Sequence, residues 1–152
     1  MVKKFFAIGT LIIAVVLFSF NEPRYGFRIN QTESLPYTLF FRVKASKSEL
    51  KHGSIVAFHR DHCPIFLAKY AIGFPGDSIR VEEDSVFLND TYVGEVQKIS
   101  QSGKEYHAIS DGVIPNGYVF VYGNHEQSFD SRYQEFGLVK IAEIEDVLWP
   151  IF

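Results

Sequence analysis

The sequence predicts a mainly β domain of antiparallel sheets, curled or barrel-like, behind one apolar N-terminal helix. Aromatic residues are abundant, with 15 Phe and 8 Tyr among 152 residues, a bias of strands more than of helices. Short apolar or alternating runs recur from Thr38 onward, each closed by Gly, Pro, Asn or Asp, which is the pattern of strands and turns. The chain opens on Met1-Val-Lys-Lys and then runs from Phe5 to Phe20 without a charged residue. No helical stripe is long enough to compete with the strands, and no internal repeat is present.

At 1.5 Å per residue the Phe5–Phe20 run spans roughly 24 Å, against a hydrocarbon core of roughly 30 Å. Snorkelling of Lys3 and Lys4 with local bilayer thinning closes that gap. A cleaved leader is the competing reading. Phe18-Ser-Phe-Asn-Glu-Pro is bulky where a cleavage site needs small residues, so a retained anchor over residues 1–20 is favoured. Lys3 and Lys4 keep the N-terminus in the cytoplasm. The expectation is a single-pass protein of the inner (cytoplasmic) membrane, with residues 21–26 as a juxtamembrane linker and residues 27–152 as a periplasmic domain.

Tyr25 to Ile29 leads into Asn30-Gln-Thr-Glu-Ser-Leu-Pro36. Pro36 disfavours the helical region for Leu35, so Ser34 is expected on a stiff, strand-like edge. Thr38–Lys44 and Ser54–Arg60 read as strands around a polar loop, Ala45–Gly53. Pro64–Phe74 is almost wholly apolar around one cation, Lys69, and Pro75-Gly-Asp77 follows as a turn. Ser78–Glu82, Ser85–Leu88 and Thr91–Val96 are short strands, the last two joined by an Asn89-Asp90 hairpin turn. After a polar loop, Lys98–Glu105, further strands are expected at Tyr106–Ile109 and Tyr118–Tyr122. Val139–Ile144 is a last alternating segment, before a Trp149-Pro150 tail.

The net charge of −3 offers no surface for nucleic acid. The single cysteine, Cys63, excludes an intrachain disulfide and an all-cysteine metal site. His52, His59, His62 and Cys63 raise a metal or thiol-enzyme reading. Their spacing is common by chance, so neither a metal nor a cofactor is expected, and Cys63 reads as a packed thiol.

Three stretches carry chemistry. Ser34 is a weak nucleophile until a base takes its proton. It lies 14 residues past Phe20, so it works within about 50 Å of the bilayer. Lys69 becomes a useful base only if its pKa falls by roughly 3 units, about 4 kcal/mol against the charged form. Its apolar neighbours Ile65, Phe66, Leu67, Tyr70, Ile72 and Phe74 offer the desolvation that does this. Alternatively it snorkels from a strand edge or pairs with Asp77 or Asp130. Thr32, two residues before Ser34, shares its face if the segment is extended. It then adds a donor for an oxyanion beside the Ser34 N–H. Gly123-Asn-His-Glu-Gln-Ser-Phe-Asp-Ser-Arg-Tyr133 is dense in hydroxyl, carboxylate and guanidinium. Ser128, Asp130, Ser131 and Arg132 could there orient a lysine amine and tie the loop.

In this order Ser34-Leu-Pro, Ala68-Lys69 leading to Gly73-Phe-Pro-Gly-Asp77, and Ser128-Phe-Asp-Ser-Arg-Tyr133 resemble the boxes of type I signal peptidases. Gly53-Ser-Ile-Val-Ala-Phe58 resembles a further box of that family, with Ser54 replacing an aspartate. The TraF-type conjugative-transfer branch is the more similar, through Arg28, Asn30, Thr32, Ser34, Leu35 and Pro36, and later Ile114, Pro115 and Gly117. The resemblance implies a membrane-anchored serine endopeptidase with a signal-peptidase-like β domain. It implies Ser34 as nucleophile, Lys69 as general base and Thr32 in the oxyanion site. Ser128 would hold the amine and Asp130 and Arg132 would form the supporting pair, with Asp130 a candidate catalytic residue. The implied partners are an exported precursor, a conjugative pilin first among them, membrane lipid, and components of a conjugation or type IV secretion channel. The rival expectations are a general leader peptidase and a non-enzymatic tethered component of that channel.

Overall fold

The computed structural model describes residues 24–46, 50–61, 63–99 and 103–152. The expected anchor at 1–20 lies outside the described residues. β1 begins at Tyr25, so the last two residues of the stretch read as linker stand in a sheet, paired with Val43 and Arg42.

The described residues form eleven strands and one 3₁₀ turn. The strands are Tyr25–Ile29 (β1), Leu39–Lys44 (β2), Ser54–Phe58 (β3), Leu67–Gly73 (β4), Ser78–Glu82 (β5) and Ser85–Leu88 (β6), then Thr91–Glu95 (β7), Gly112–Val113 (β8), Tyr118–Tyr122 (β9), Val139–Lys140 (β10) and Ile144–Pro150 (β11). Seven make one antiparallel sheet in the order β1-β2-β11-β3-β4-β9-β10, and four make a second in the order β7-β6-β5-β8. The mainly β expectation stands. The barrel does not: β1 and β10 are separate edges of the large sheet, and both sheets are open.

The central strands are the most apolar. β3 and β4 pair from Ser54↔Ala71 to Phe58↔Leu67, and both of their faces are covered. Val56, Phe58, Ala71, Val119 and Val121 fill one face, while Ile55, Ala57 and Ala68 pack with Leu35, Phe40 and Leu148 on the other. Between the sheets Ile79, Val86, Leu88, Ile114 and Phe120 form a third cluster. It closes tightly over Gly73, where a Cβ would come within 2.9 Å of Ile114, Phe120 and Leu88. The Asn89-Asp90 hairpin adopts φ of 48° and 63°, the doubly left-handed turn that matches strand twist.

Four readings need correction. Asn30–Pro36 is a turn, not an extended edge, because the Asn30 amide closes it. Tyr106–Ile109 forms one isolated bridge, Ala108↔Tyr133, in place of a strand. Val139–Ile144 divides into β10, the 3₁₀ turn and the first residue of β11. Trp149-Pro150 is no tail but the end of β11, which lies between β2 and β3. Asp146 disguises β11 in the sequence. It is 1% exposed and accepts hydrogen bonds from Arg28 Nε at 2.6 Å and Arg42 Nη1 at 2.8 Å, so its charge is matched inside the fold.

Candidate active site

Asn30 builds the Ser34 turn. Its side-chain oxygen accepts from the Thr32 N–H at 3.1 Å and the Thr32 hydroxyl at 3.0 Å. Its Nδ2 donates to the Tyr37 carbonyl at 2.8 Å and more weakly to that of Leu35 at 3.4 Å. Asparagine mimics a backbone turn in this way. Leu35 is buried in the core and pins the far side of the turn. Ser34 is left half-buried between these two fixtures. Asn30→Ala should keep the sheets and loosen this turn. A displacement of about 1 Å at a nucleophile lowers turnover by about 100-fold. Cleavage kinetics beside an unchanged circular dichroism spectrum check this; undiminished kcat would show that the clamp does not position Ser34.

Lys69 pairs with Val56 across β3 and β4 and leaves the sheet on that residue's face. It is 1% exposed. Its Nζ lies 2.7 Å from Ser34 Oγ and 2.6 Å from Ser128 Oγ, donating to both when charged. Burial pulls the amine down from its ordinary 10.5 to about 8. Asp130 pushes it back up and Arg132 pushes it down. The neutral fraction at pH 7 rises from about one in three thousand to about one in ten.

Asp130 and Arg132 are themselves buried. The guanidinium meets the carboxylate in two parallel bonds, Nε to Oδ1 at 2.9 Å and Nη2 to Oδ2 at 3.1 Å. The carboxylate also accepts the Gly123 N–H at 2.9 Å. Arg132 Nη2 donates to the Ser128 carbonyl at 3.1 Å, which fixes the loop that presents Ser128 to Lys69. Ser131 lies elsewhere: its hydroxyl accepts the Val121 N–H and donates to the Gly137 carbonyl.

The structure thus brings Ser34, Lys69, Ser128, Asp130 and Arg132 together. Thr32 shares the turn, but its hydroxyl faces Asn30 and not along an extended edge. Asp77 is not a partner of Lys69. It accepts the Phe74 N–H and Asn89 Nδ2, each at 2.7 Å, and stabilises its own turn. Among the described residues no His, Cys, Asp and Glu cluster could hold a metal ion; His62 lies outside them.

Two residues were not singled out from the sequence for this role. Asn30 was legible as a turn former ahead of Ser34. Gly123 was visible as a glycine directly after a strand. A Cβ there would stand 2.1 Å from Ser128 Oγ and 3.0 Å from the Ser34 carbonyl oxygen, so only glycine lets the two serine segments meet. A cleft of about 470 Å³ opens on the pair, lined by Ser34, Lys69, Cys63, Leu67, Phe129 and Phe136, among others.

The chain is similar to several known proteins. Signal peptidase I from Bacillus licheniformis is 32% identical over 93 residues, 55% of this chain and 50% of that protein. The chain therefore spans about half the length of that relative. Signal peptidase I U from Bacillus subtilis (strain 168) is 27% identical over 86% of this chain and 78% of its own length. Conjugal transfer protein TraF from Agrobacterium fabrum is 25% identical over 84% of this chain and 82% of its own length. A solved signal peptidase I from Enterococcus faecalis V583 is 28% identical, with a TM-score of 0.44 over 66% of this chain and 97% of that one. The family described as signal peptidase, peptidase S26, matches residues 1–148, and this chain belongs to it.

Proposed function

We propose that the chain is a membrane-tethered serine endopeptidase that cuts an exported precursor, with Ser34 as nucleophile and Lys69 as general base. The observation that carries this is the buried Lys69 amine 2.7 Å from Ser34 Oγ. A neutral amine has one lone pair and two N–H groups. With one N–H directed at Ser128 Oγ, the lone pair is free to accept the Ser34 proton. Ser34 Oγ then attacks the scissile carbonyl, and the ammonium formed returns its proton to the leaving amine. Water, activated by the same amine, resolves the acyl-enzyme. The Ser34 N–H serves the oxyanion, and the Thr32 hydroxyl joins it by turning from Asn30. Asp130 acts through Arg132 and the loop, holding Ser128 in place and touching no reacting atom.

The Arg28, Asn30, Thr32, Ser34 spacing and the likeness to a TraF protein support a pilin precursor as the substrate, handled beside a conjugation or type IV secretion channel. The likeness to Bacillus signal peptidases supports a broader leader peptidase. Mass spectrometry of exported proteins from cells carrying the intact chain or Ser34→Ala separates them. One uncut pilin is expected from the first reading and many uncut precursors from the second. Normal processing of all of them by the variant would reject both.

The domain's surface supports work against a lipid surface, and Lys3 and Lys4 ahead of the apolar run support the periplasmic side of the inner membrane. Phe27, Phe41 and Trp149 stand in one row across β1, β2 and β11. Ile151 and Phe152 extend the same exposed apolar edge. The row crosses the middle of β1 at Phe27, seven residues after the apolar Phe5–Phe20 run, and a patch of this kind is suited to lipid. Trp149 is the only tryptophan and is 61% exposed. In vesicles its emission should shift to the blue and be quenched by acyl-brominated lipid; emission typical of water would place this edge away from the bilayer.

A further inference from the structure

A second cleft, about 760 Å³, lies against the smaller sheet and includes none of Ser34, Lys69 or Ser128 in its lining. It is larger than the cleft at Ser34, and the walls of the two touch at two places. Tyr106 of the second cleft packs on Phe129 of the first, with ring centroids 4.9 Å apart. His107 of the second holds Glu135 of the first, Nδ1 to Oε1 at 2.9 Å. That bond holds the Glu135 carboxyl below the usual carboxylate range. The two clefts are thus neighbours, divided by a ridge of one aromatic and one ionic contact.

The second cleft is acidic. Glu83, Asp84, Glu105 and Asp111 line it, together with the single lysine Lys98. Lys98 Nζ is bonded to Asp84 at 2.7 Å, and Asp111 accepts the Val81 N–H. Apolar wall is supplied by Val81, Ala108 and Ile109. Such a surface fits an extended peptide whose side chains alternate between basic and small apolar.

We infer that this second cleft is an exosite for the substrate's own chain, receiving a basic segment several residues from the scissile bond. The inference rests on the peptidase reading above. The position next to the cleft at Ser34, across one ridge, points to the substrate's own chain as the occupant, and the four carboxylates point to its charge. The site acts on affinity, drawing in precursors that carry lysine or arginine at that distance. Bond cleavage itself stays with Ser34 and Lys69.

The test uses the full chain in detergent micelles. A short peptide core is selected from a random library for cleavage, then extended at either end by three Lys-Ala, Ser-Ala or Glu-Ala repeats. The Lys-Ala extension should lower KM by about tenfold on one side of the scissile bond only, an advantage that fades in high salt. The Ser-Ala extension should leave KM unchanged and the Glu-Ala extension should raise it. Glu83→Lys/Glu105→Lys should erase the Lys-Ala advantage while the unextended core is cut as before. Glu83→Gln/Glu105→Gln should erase most of it without reversing charge. A Lys-Ala advantage under twofold, or one that survives charge reversal, would overturn the exosite. Failure to cut any core would instead count against the peptidase reading. In that event binding of a fluorescein-labelled (Lys-Ala)₅ peptide to the Ser34→Ala protein still decides the exosite. Equal affinity for this peptide and a (Ser-Ala)₅ control would reject it.

Discussion

Lys69→Met should lower precursor cleavage by about 10⁴-fold or more and yet make the domain more stable at neutral pH. The folded chain holds this amine near 8, whereas its ordinary value is 10.5. At pH 7 the burial of the charge therefore costs about 3 kcal/mol. Methionine removes that cost and forfeits two hydrogen bonds of about 1 kcal/mol each, a net gain of about 1 kcal/mol. The sign reverses in alkali. Between about 8 and 10.5 the unfolded amine keeps its proton while the folded one releases it, so wild-type stability climbs with pH. Above that window the wild type should be the more stable by about 2 kcal/mol, from the same two hydrogen bonds. Urea unfolding at pH 7 and pH 11 measures the crossing. A variant less stable by the same amount at both pH values would mean that Lys69 carries no burial penalty. Wild-type cleavage should rise with pH to a plateau above about 8, the rising limb being the neutral amine.

Arg132→Gln should destabilise the domain by about 3–5 kcal/mol, since it leaves the Asp130 carboxylate buried without its counter-charge. It should also move the rising limb of activity to higher pH, by about one unit. The direction follows from the pair's opposite effects on Lys69: Asp130 raises its pKa and Arg132 lowers it. Intact, the two oppose each other, and desolvation dominates. Without the guanidinium the carboxylate favours the charged amine, and a higher pH is needed to free the base. The double change Asp130→Asn/Arg132→Gln removes both charges and should recover much of the stability and return the limb toward its original position. Loss of stability with an unmoved pH profile would confine the pair to a structural role.

Much of this was legible in the residues. β2 to β7 follow apolar runs closed by turn formers, and the left-handed Asn89-Asp90 turn is a local property of those two side chains. The apolar residues on both sides of Lys69 allowed burial or snorkelling from a strand edge, and the central place of β4 in the sheet decided for burial. The Ser34 turn was misread, since the restriction from Pro36 is local and weaker than five contacts made or received by Asn30 and Leu35. Tyr106–Ile109 has strand-like residues, yet a strand exists only where a partner edge is offered, and Tyr133 offers one bridge.

The amino-acid order by itself determined the extended segments from β2 to β7, the Asn89-Asp90 turn, and which side chains bring a hydroxyl, an amine, a carboxylate and a guanidinium. Those are properties of a residue and its near neighbours. Only the tertiary structure decided which charges are matched and which are merely dried. Asp146 lies 118 residues from Arg28 and 104 from Arg42, and Lys69 lies 35 from Ser34 and 59 from Ser128. Desolvation and counter-charge act through space over a few ångströms, and that neighbourhood comes into being only when the sheets close over it.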